Sequence, residues 1–310
     1  MPSALKKSLH AAEQDRPDVA QAREQWKAVQ TSLDPKKLVF VDETGTNTKM
    51  VRGYGRCRRG QRLIGKQPWG HWKTTTFTAG LRCDGISAPW VLDGPMNRDA
   101  FLTYVEAVLA PTLAAGDIVV IDNLLTTEAL ESLRLYCRGS DIWHTAYSQG
   151  YLGAFPESGF AAPLLAQVAE EFSTTFPEIF ADHPLRYHWA FKYDSSLDGI
   201  GIHADEAAVN VNFWITPDEA NLDAQGGGLV IWDKEAPLEW DFAKFNADES
   251  AAYDFLAQSG ARPIRIPYRT NRAVIFDSNL FHKTDNISFA PGYENRRINI
   301  TMLYGRRRRS

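Results

Sequence analysis

Two apolar patterns divide this chain. In the first, short continuous runs surround one helical stretch. Leu38-Val-Phe-Val41 and Ile118-Val-Val-Ile121 are each closed by an aspartate, Asp42 and Asp122. Runs of that length read as buried strands. Thr74–Leu81 and Ile86–Leu92, split by Arg82-Cys-Asp-Gly85, read as a hairpin. Over residues 97–113, Phe101, Tyr104, Val105, Val108 and Leu109 share a helical face, and Gly116 closes the stretch. Upstream, Val19–Leu33 reads as a helix punctuated by Asp34-Pro35.

The second pattern starts at Leu124. Thr126 can cap a helix in which Leu130, Leu133 and Arg134 repeat at helical spacing. Leu164–Phe172 is a second apolar-faced helix, with Pro163 suited to its first position and Pro177 beyond its end. Short strands follow: Arg186–Tyr193, Val209–Thr216, Gly228–Trp232, Pro263–Pro267, Ala273–Phe276 and Ile298–Tyr304. Helices followed by many short strands predict a helix-supported β-sandwich or barrel. The seam falls near residues 117–124.

Composition changes little. The chain has 310 residues, room for two domains. Hydrophobic content of 44% and charged content of 23% are ordinary for a globular protein. A net charge of −4 argues against whole-chain binding of polyanions. One loop departs from that balance: Lys49, Arg52, Arg56, Arg58, Arg59, Arg62 and Lys66 lie among glycines and could touch nucleic-acid phosphates. Three scattered cysteines make neither a disulfide framework nor a CxxC metal site, so reduced thiols in a cytoplasmic protein are expected. No signal peptide and no membrane span is read.

The chemistry concentrates in Gly199-Ile-Gly-Ile-His-Ala-Asp205 and Phe281-His282. On a strand, side chains alternate faces, so His203 and Asp205 point the same way. Two imidazoles and one carboxylate around a metal, with other positions open, suit non-haem Fe(II). Downstream, Arg297 and Thr301 share a strand face. An arginine fork inside an apolar barrel matches a carboxylate ligand. Arg296 is the competing choice; Arg297 is preferred because its parity matches Thr301. Tyr193, ten residues before His203, is placed to give the same carboxylate a hydroxyl hydrogen bond. The aromatic set Trp189, Trp214, Trp232 and Trp240 reads as core and rim. Gly226-Gly-Gly228 reads as a tight turn into a strand, His183 and His188 as structural, and Arg306–Arg309 as a frayed basic tail.

Residues 121–305 resemble the Fe(II)/2-oxoglutarate-dependent dioxygenase superfamily, near its prolyl-hydroxylase-like branch. The matching pattern is His203-x-Asp205, His282 and Arg297-x-x-x-Thr301. The resemblance implies a double-stranded β-helix (jelly roll) over 121–310. It also implies Fe(II) held by His203, Asp205 and His282, 2-oxoglutarate held by Arg297, Tyr193 and Thr301, and O2 as oxidant. The implied reaction hydroxylates a C–H bond of a peptide or small molecule, releasing succinate and CO2.

The first half carries a different resemblance. Phe40-Val-Asp42-Glu43-Thr-Gly45, Gly53-Tyr-Gly-Arg-Cys-Arg-Arg-Gly60 and Gly116-Asp-Ile-Val-Val-Ile-Asp122-Asn123 are similar to a DDE transposase of the RNase H-like fold. That implies a partial α/β segment over 38–120, preceded by a helical lead over 1–37. If the two acid-ended strands lie parallel and adjacent, both carboxylates emerge at one sheet end, where such enzymes hold metals. There is no room upstream for a helix-turn-helix, and the closing acid is missing; Glu157 sits in the wrong context. The segment is expected to be a remnant that no longer cuts DNA. A catalytically silent, DNA-associated protein is the alternative reading.

Overall fold

The computed structural model describes residues 38–48, 56–58, 60, 62, 64, 73–113, 116–195 and 199–307. The expected lead over 1–37 and most of the Lys49–Lys66 loop lie outside the described residues; Arg56, Arg58 and Arg62 are described and exposed.

The first elements are β1 (Leu38–Asn47), β2 (Thr74–Arg82), β3 (Gly85–Asp93), α1 (Arg98–Tyr104) and β4 (Ile118–Asp122). Asn97 caps α1 by accepting from the Ala100 amide. The expected long helix over 97–113 is broken after α1. A π-turn covers Val105–Leu109 and a 3-10 turn covers Ala110–Thr112. Pro111 has no amide hydrogen to donate at that point, so the α-helical ladder cannot run through it.

Next come α2 (Thr127–Gly139), β5 (Thr145–Tyr147), β6 (Tyr151–Ala154), α3 (Pro163–Thr175), α4 (Pro177–Phe180), β7 (Leu185–Tyr193), β8 (Val209–Trp214) and β9 (Leu229–Glu235). The chain closes with α5 (Phe242–Asn246), α6 (Glu249–Gln258), β10 (Pro263–Ile266), β11 (Arg272–Asp277), β12 (Leu280–Thr284) and β13 (Ile298–Tyr304). α5 and α6 correct the reading of this region as strands alone. Asp241 and Asp248 cap them, accepting from the Lys244 and Ala251 amides.

The strands form a ten-stranded sheet, ordered β3-β2-β1-β4-β11-β8-β13-β7-β6-β5, and a three-stranded sheet, ordered β10-β9-β12. Alternation along the strands makes two cores. On one face of the large sheet, Val211, Phe213, Ile300 and Met302 pack against Leu133, Phe172 and Phe180 of the helices. On the other face, Phe191, Tyr193, Trp214, Val274 and Phe276 meet Leu229, Ile231, Ile264 and Ile266 of the small sheet. A third cluster covers the back of the small sheet with Phe245, Ala252 and Leu256 of α5 and α6.

The expected seam falls inside β4. That strand pairs parallel with β1 on one side and antiparallel with β11 on the other. The backbone ladder is therefore continuous across the change of sequence pattern. Asp122 fastens the join: Arg272 donates to both its carboxylate oxygens at 2.6 and 2.9 Å, and Arg269 donates at 2.7 Å. Within the run Arg306–Arg309, Arg307 is not frayed, and positions 308–309 lie outside the described residues. The Arg307 guanidinium donates to Asn279 Oδ1, Trp240 O, Ala236 O and Pro237 O, and lies 4.1 Å from the centre of the Phe245 ring. Arg307 is thus tied to α5 and to the segment that precedes it.

Candidate metal centre

The site forms where the 200–205 stretch crosses the small sheet. His203 and His282 face each other across an antiparallel bridge, with reciprocal amide-to-carbonyl bonds of 2.9 and 2.8 Å. The Asp205 amide donates to Ser278 O at 3.0 Å. Two residues 79 positions apart (282 − 203) are thus fixed opposite each other by backbone bonds alone. Their ring centres lie 4.4 Å apart. One carboxylate oxygen of Asp205 is 3.8 Å from His203 Nε2 and the other is 3.4 Å from His282 Nε2. The three donor atoms lie within 4.8 Å of one another.

Protonation follows from the outer contacts. His203 Nδ1 is 2.9 Å from Gly201 O, and His282 Nδ1 is 2.9 Å from Leu280 O. A carbonyl can only accept, so Nδ1 carries the hydrogen in both rings. Each Nε2 then turns a lone pair toward Asp205, the tautomer a metal requires. Burial, with the His282 ring beside it, pushes the His203 pKa down to about 4. Burial opposes ionisation of Asp205, but the neighbouring imidazoles and the Asn210 amide, which donates to its Oδ2 at 2.7 Å, outweigh burial and hold it below the usual carboxylate range. At neutral pH two lone pairs and an anion converge in a largely buried space. A cation satisfies that arrangement, and among the described residues no side-chain ion pair to Asp205 from lysine or arginine is present. Two imidazoles and one carboxylate fit a divalent first-row metal with open positions.

Arg297 lies on the inter-sheet face just before β13 and is fully buried. Its Nε donates to Gly227 O and its Nη2 to Gly228 O at 3.3 Å. No hydrogen bond of acceptable geometry reaches Nη1. The guanidinium stacks over Tyr193 at 4.6 Å and Trp214 at 5.7 Å from their ring centres. Burial lowers the Arg297 pKa, but arginine keeps its charge in proteins. A buried cation with one open donor calls for an anion. Arg296 points elsewhere: it is partly exposed, 3.6 Å from Asp194.

Tyr193 lies against that guanidinium, with its hydroxyl 3.4 Å from Thr284 Oγ1. Burial pushes its pKa up, so it stays a neutral phenol able to donate. Thr301 is buried and donates to Asn212 Oδ1 at 2.8 Å.

A cleft of about 930 Å³ opens over His203 and Asp205. One wall is aromatic: Tyr147, Tyr151, Phe155, Tyr187, Trp189 and Phe191. Tyr147 and Tyr151 stack at 4.5 Å, and both present edges to Phe191. Gly199, Ile200 and Gly201 also line the cleft, with Glu249 folded against Gly201. A Cβ on Gly201 would come within 2.1 Å of that carboxylate.

Several of these residues escape a reading of the sequence. Gly226-Gly-Gly228 looks like a turn, yet it supplies the carbonyls that hold Arg297, and a Cβ on Gly228 would lie 1.9 Å from Ile266 O. The β5–β6 hairpin that completes the aromatic wall turns through Ser148-Gln149-Gly150, with Gly150 in the left-handed region at φ 87°, a turn absent from the sequence reading. The two acids of the first half are arranged as expected: β1 and β4 are parallel neighbours, and the register Leu38–Ile118 carried forward sets Asp42 beside Asp122. Asp122, however, is spent on two arginines, which draw its pKa down against burial. Among the described residues, His203, Asp205 and His282 form the only trio of His, Cys, Asp or Glu close enough to share a metal ion.

Residues 37–141, about a third of the chain, match the family model of the DDE superfamily endonucleases. No curated protein matches the sequence. Among solved structures, HygX from Streptomyces hygroscopicus with nickel, 2-oxoglutarate and hygromycin B bound is 13% identical; the match covers 62% of this chain and 84% of that one at a TM-score of 0.44. A prolyl-4-hydroxylase from Pseudomonas putida is 14% identical, covering 67% and 100% at 0.42. SnoK, a non-haem α-ketoglutarate-dependent carbocyclase of nogalamycin biosynthesis, is 12% identical, covering 63% and 85% at 0.42.

Proposed function

We propose that this chain is an Fe(II)- and 2-oxoglutarate-dependent oxygenase that hydroxylates a C–H bond of its substrate. The observation that carries the reading is the convergence of His203 Nε2, His282 Nε2 and the Asp205 carboxylate, with both Nδ1 atoms already committed to backbone carbonyls. These three residues would hold the iron. Iron, when bound, couples the oxidative decarboxylation of 2-oxoglutarate by O2 to oxidation of the substrate, releasing succinate and CO2. Arg297 Nη1 receives the distal carboxylate of the co-substrate, and the Tyr193 hydroxyl donates beside it. Thr301 braces the same floor. The apolar inter-sheet space keeps water from competing for those donors, which strengthens each charge-assisted bond. The aromatic cleft receives the substrate over the open face.

On this reading, β7, β8, β11 and β13 facing β9, β10 and β12 make a double-stranded β-helix spanning 121–310. The segment 38–120 is a partial RNase H-like piece derived from a transposase. Its nuclease chemistry is silent, because Asp122 is a strut and not a free ligand. The match to the endonuclease family keeps one alternative in view, a DNA-associated protein whose basic loop binds phosphates. Binding to duplex DNA that weakens steeply with salt would favour it.

The test is Fe(II)-dependent conversion of 2-oxoglutarate to succinate by the wild type and by Asp205→Ala. The wild type is expected to turn over co-substrate, slowly without its true substrate, and the variant to fall to the metal-free background. Equal succinate release by the two proteins overturns the proposal.

A further inference from the structure

The floor between the metal centre and Arg297 should be apolar, since it lies between two packed sheets. It is not. Asn210 and Asn212 on β8, and Asn299 and Thr301 on β13, point into it and are 0 to 4% exposed. Their bonds run one way. The Asn299 amide donates to Asn212 Oδ1 at 2.8 Å and to Thr301 Oγ1 at 2.9 Å. Thr301 Oγ1 donates to Asn212 Oδ1 at 2.8 Å. The Asn212 amide donates to Asn210 Oδ1. The Asn210 amide donates to Asp205 Oδ2 at 2.7 Å. Every donor points toward the carboxylate, and the chain ends on its charge. In the other direction it stops at Asn299, whose Oδ1 has no partner, two residues along the strand from Arg297. Register enforces the path: Asn212 pairs directly with Thr301, and Asn210 with Leu303, across β8 and β13.

A buried polar chain costs stability unless all its members are bonded. One that points its dipoles at a single anion polarises each bond in the same sense and strengthens the last. That last bond falls on Asp205 Oδ2, the oxygen nearer His282. With one lone pair of Oδ2 taken by the Asn210 amide, Oδ1 is the less encumbered oxygen for coordination.

We propose that Asn210 is a positioning residue for the metal centre, and that the chain Thr301–Asn212–Asn210 holds Asp205 as a one-oxygen ligand from the floor of the co-substrate site. This rests on the assignment of His203, Asp205 and His282 as metal ligands. Asn210 touches neither metal nor substrate; it acts through the carboxylate. Outer partners of metal ligands typically set affinity by about 10- to 100-fold.

The test uses the full-length protein with Mn(II), titrated anaerobically and read by the electron paramagnetic resonance of free ion, together with the ligand-field spectrum of the Co(II) form. Asn210→Leu keeps the branched shape and heavy-atom count and deletes the donor. It is expected to raise the Mn(II) Kd by about 10- to 100-fold and to weaken the Co(II) bands as Oδ2 joins the coordination sphere. Thr301→Val, near-isosteric and remote from Asp205, is expected to raise the Kd in the same direction by a few-fold; it decides the matter alone should Asn210→Leu not fold. Wild-type Kd and wild-type Co(II) spectrum in the folded variants overturn the proposal. A wild type that binds neither ion overturns the oxygenase reading instead.

Discussion

Replacing Arg297 by methionine separates its two tasks, and the structure sets the size of each. The guanidinium donates to Gly227 O and Gly228 O and leaves Nη1 open. In the free protein the variant loses two hydrogen bonds, each about 1 kcal/mol net. It also removes a buried charge whose desolvation costs several kcal/mol. These terms oppose each other, so the free protein is expected to keep its stability within about 2 kcal/mol. Co-substrate binding has no such compensation. One charge-assisted bond from Nη1 contributes about 1.5–3 kcal/mol, or about 10- to 150-fold in Kd. The assay is thermal unfolding with Mn(II) in place of iron, with and without 2-oxoglutarate. At a concentration of 100 times the wild-type Kd, the wild type gains about 2.7 kcal/mol, an upward shift of about 4 °C for a chain of 310 residues. At the same concentration Arg297→Met keeps only about 0.3–1.4 kcal/mol. Arg296→Met, whose side chain faces Asp194 and solvent, is expected to shift as the wild type does. A full wild-type shift in Arg297→Met, or its loss in Arg296→Met, refutes the assignment of the buried guanidinium as the carboxylate clamp.

Two more outcomes follow from charges already described. Asp122→Asn strips the carboxylate from Arg269 and Arg272; it is expected to cost about 2 kcal/mol, read as a lower urea midpoint, and an unchanged midpoint would show that the strut carries no load. In metal-free protein, His203 is pushed from 6.5 down to about 4. The unfolded chain therefore takes up a proton below 6.5 that the folded protein refuses until about 4, so stability falls as pH drops through that window, by up to about 3 kcal/mol. Asp205, also held low, adds a further loss as pH falls below its unfolded value near 3.8. Urea unfolding of His203→Gln should lack the first slope; parallel profiles for variant and wild type would contradict a His203 held neutral by burial.

The parts of the site legible in the sequence are those written in strand parity. His203 and Asp205 two positions apart, and Arg297 four before Thr301, announce shared faces because a strand has a period of two. The meeting of His203 with His282 is a backbone bridge between distant segments, and no local pattern encodes it. Backbone acceptors are equally silent: Gly227 and Gly228 hold Arg297 through carbonyls that every residue possesses. Asn210 and Asn212 read as polar interruptions of a strand until Asp205 is set beside them. Helix α5 is five residues long, too short for a periodic stripe, and only its Asp241 cap marks it. Arg307 sits in a run of arginines that reads as solvated charge, yet one member of that run is buried on Phe245. In the first half, Asp42 and Asp122 kept their register, but the arginines that claim Asp122 lie about 150 residues downstream, beyond the reach of any motif.

The most direct measurement is anomalous diffraction from anaerobic crystals of the full chain soaked with Mn(II) and 2-oxoglutarate. The account predicts a single strong peak within coordination distance of His203 Nε2, His282 Nε2 and Asp205 Oδ1, with the co-substrate carboxylate on Arg297 Nη1. A metal peak between Asp42 and Asp122, or none beside the two imidazoles, would contradict it.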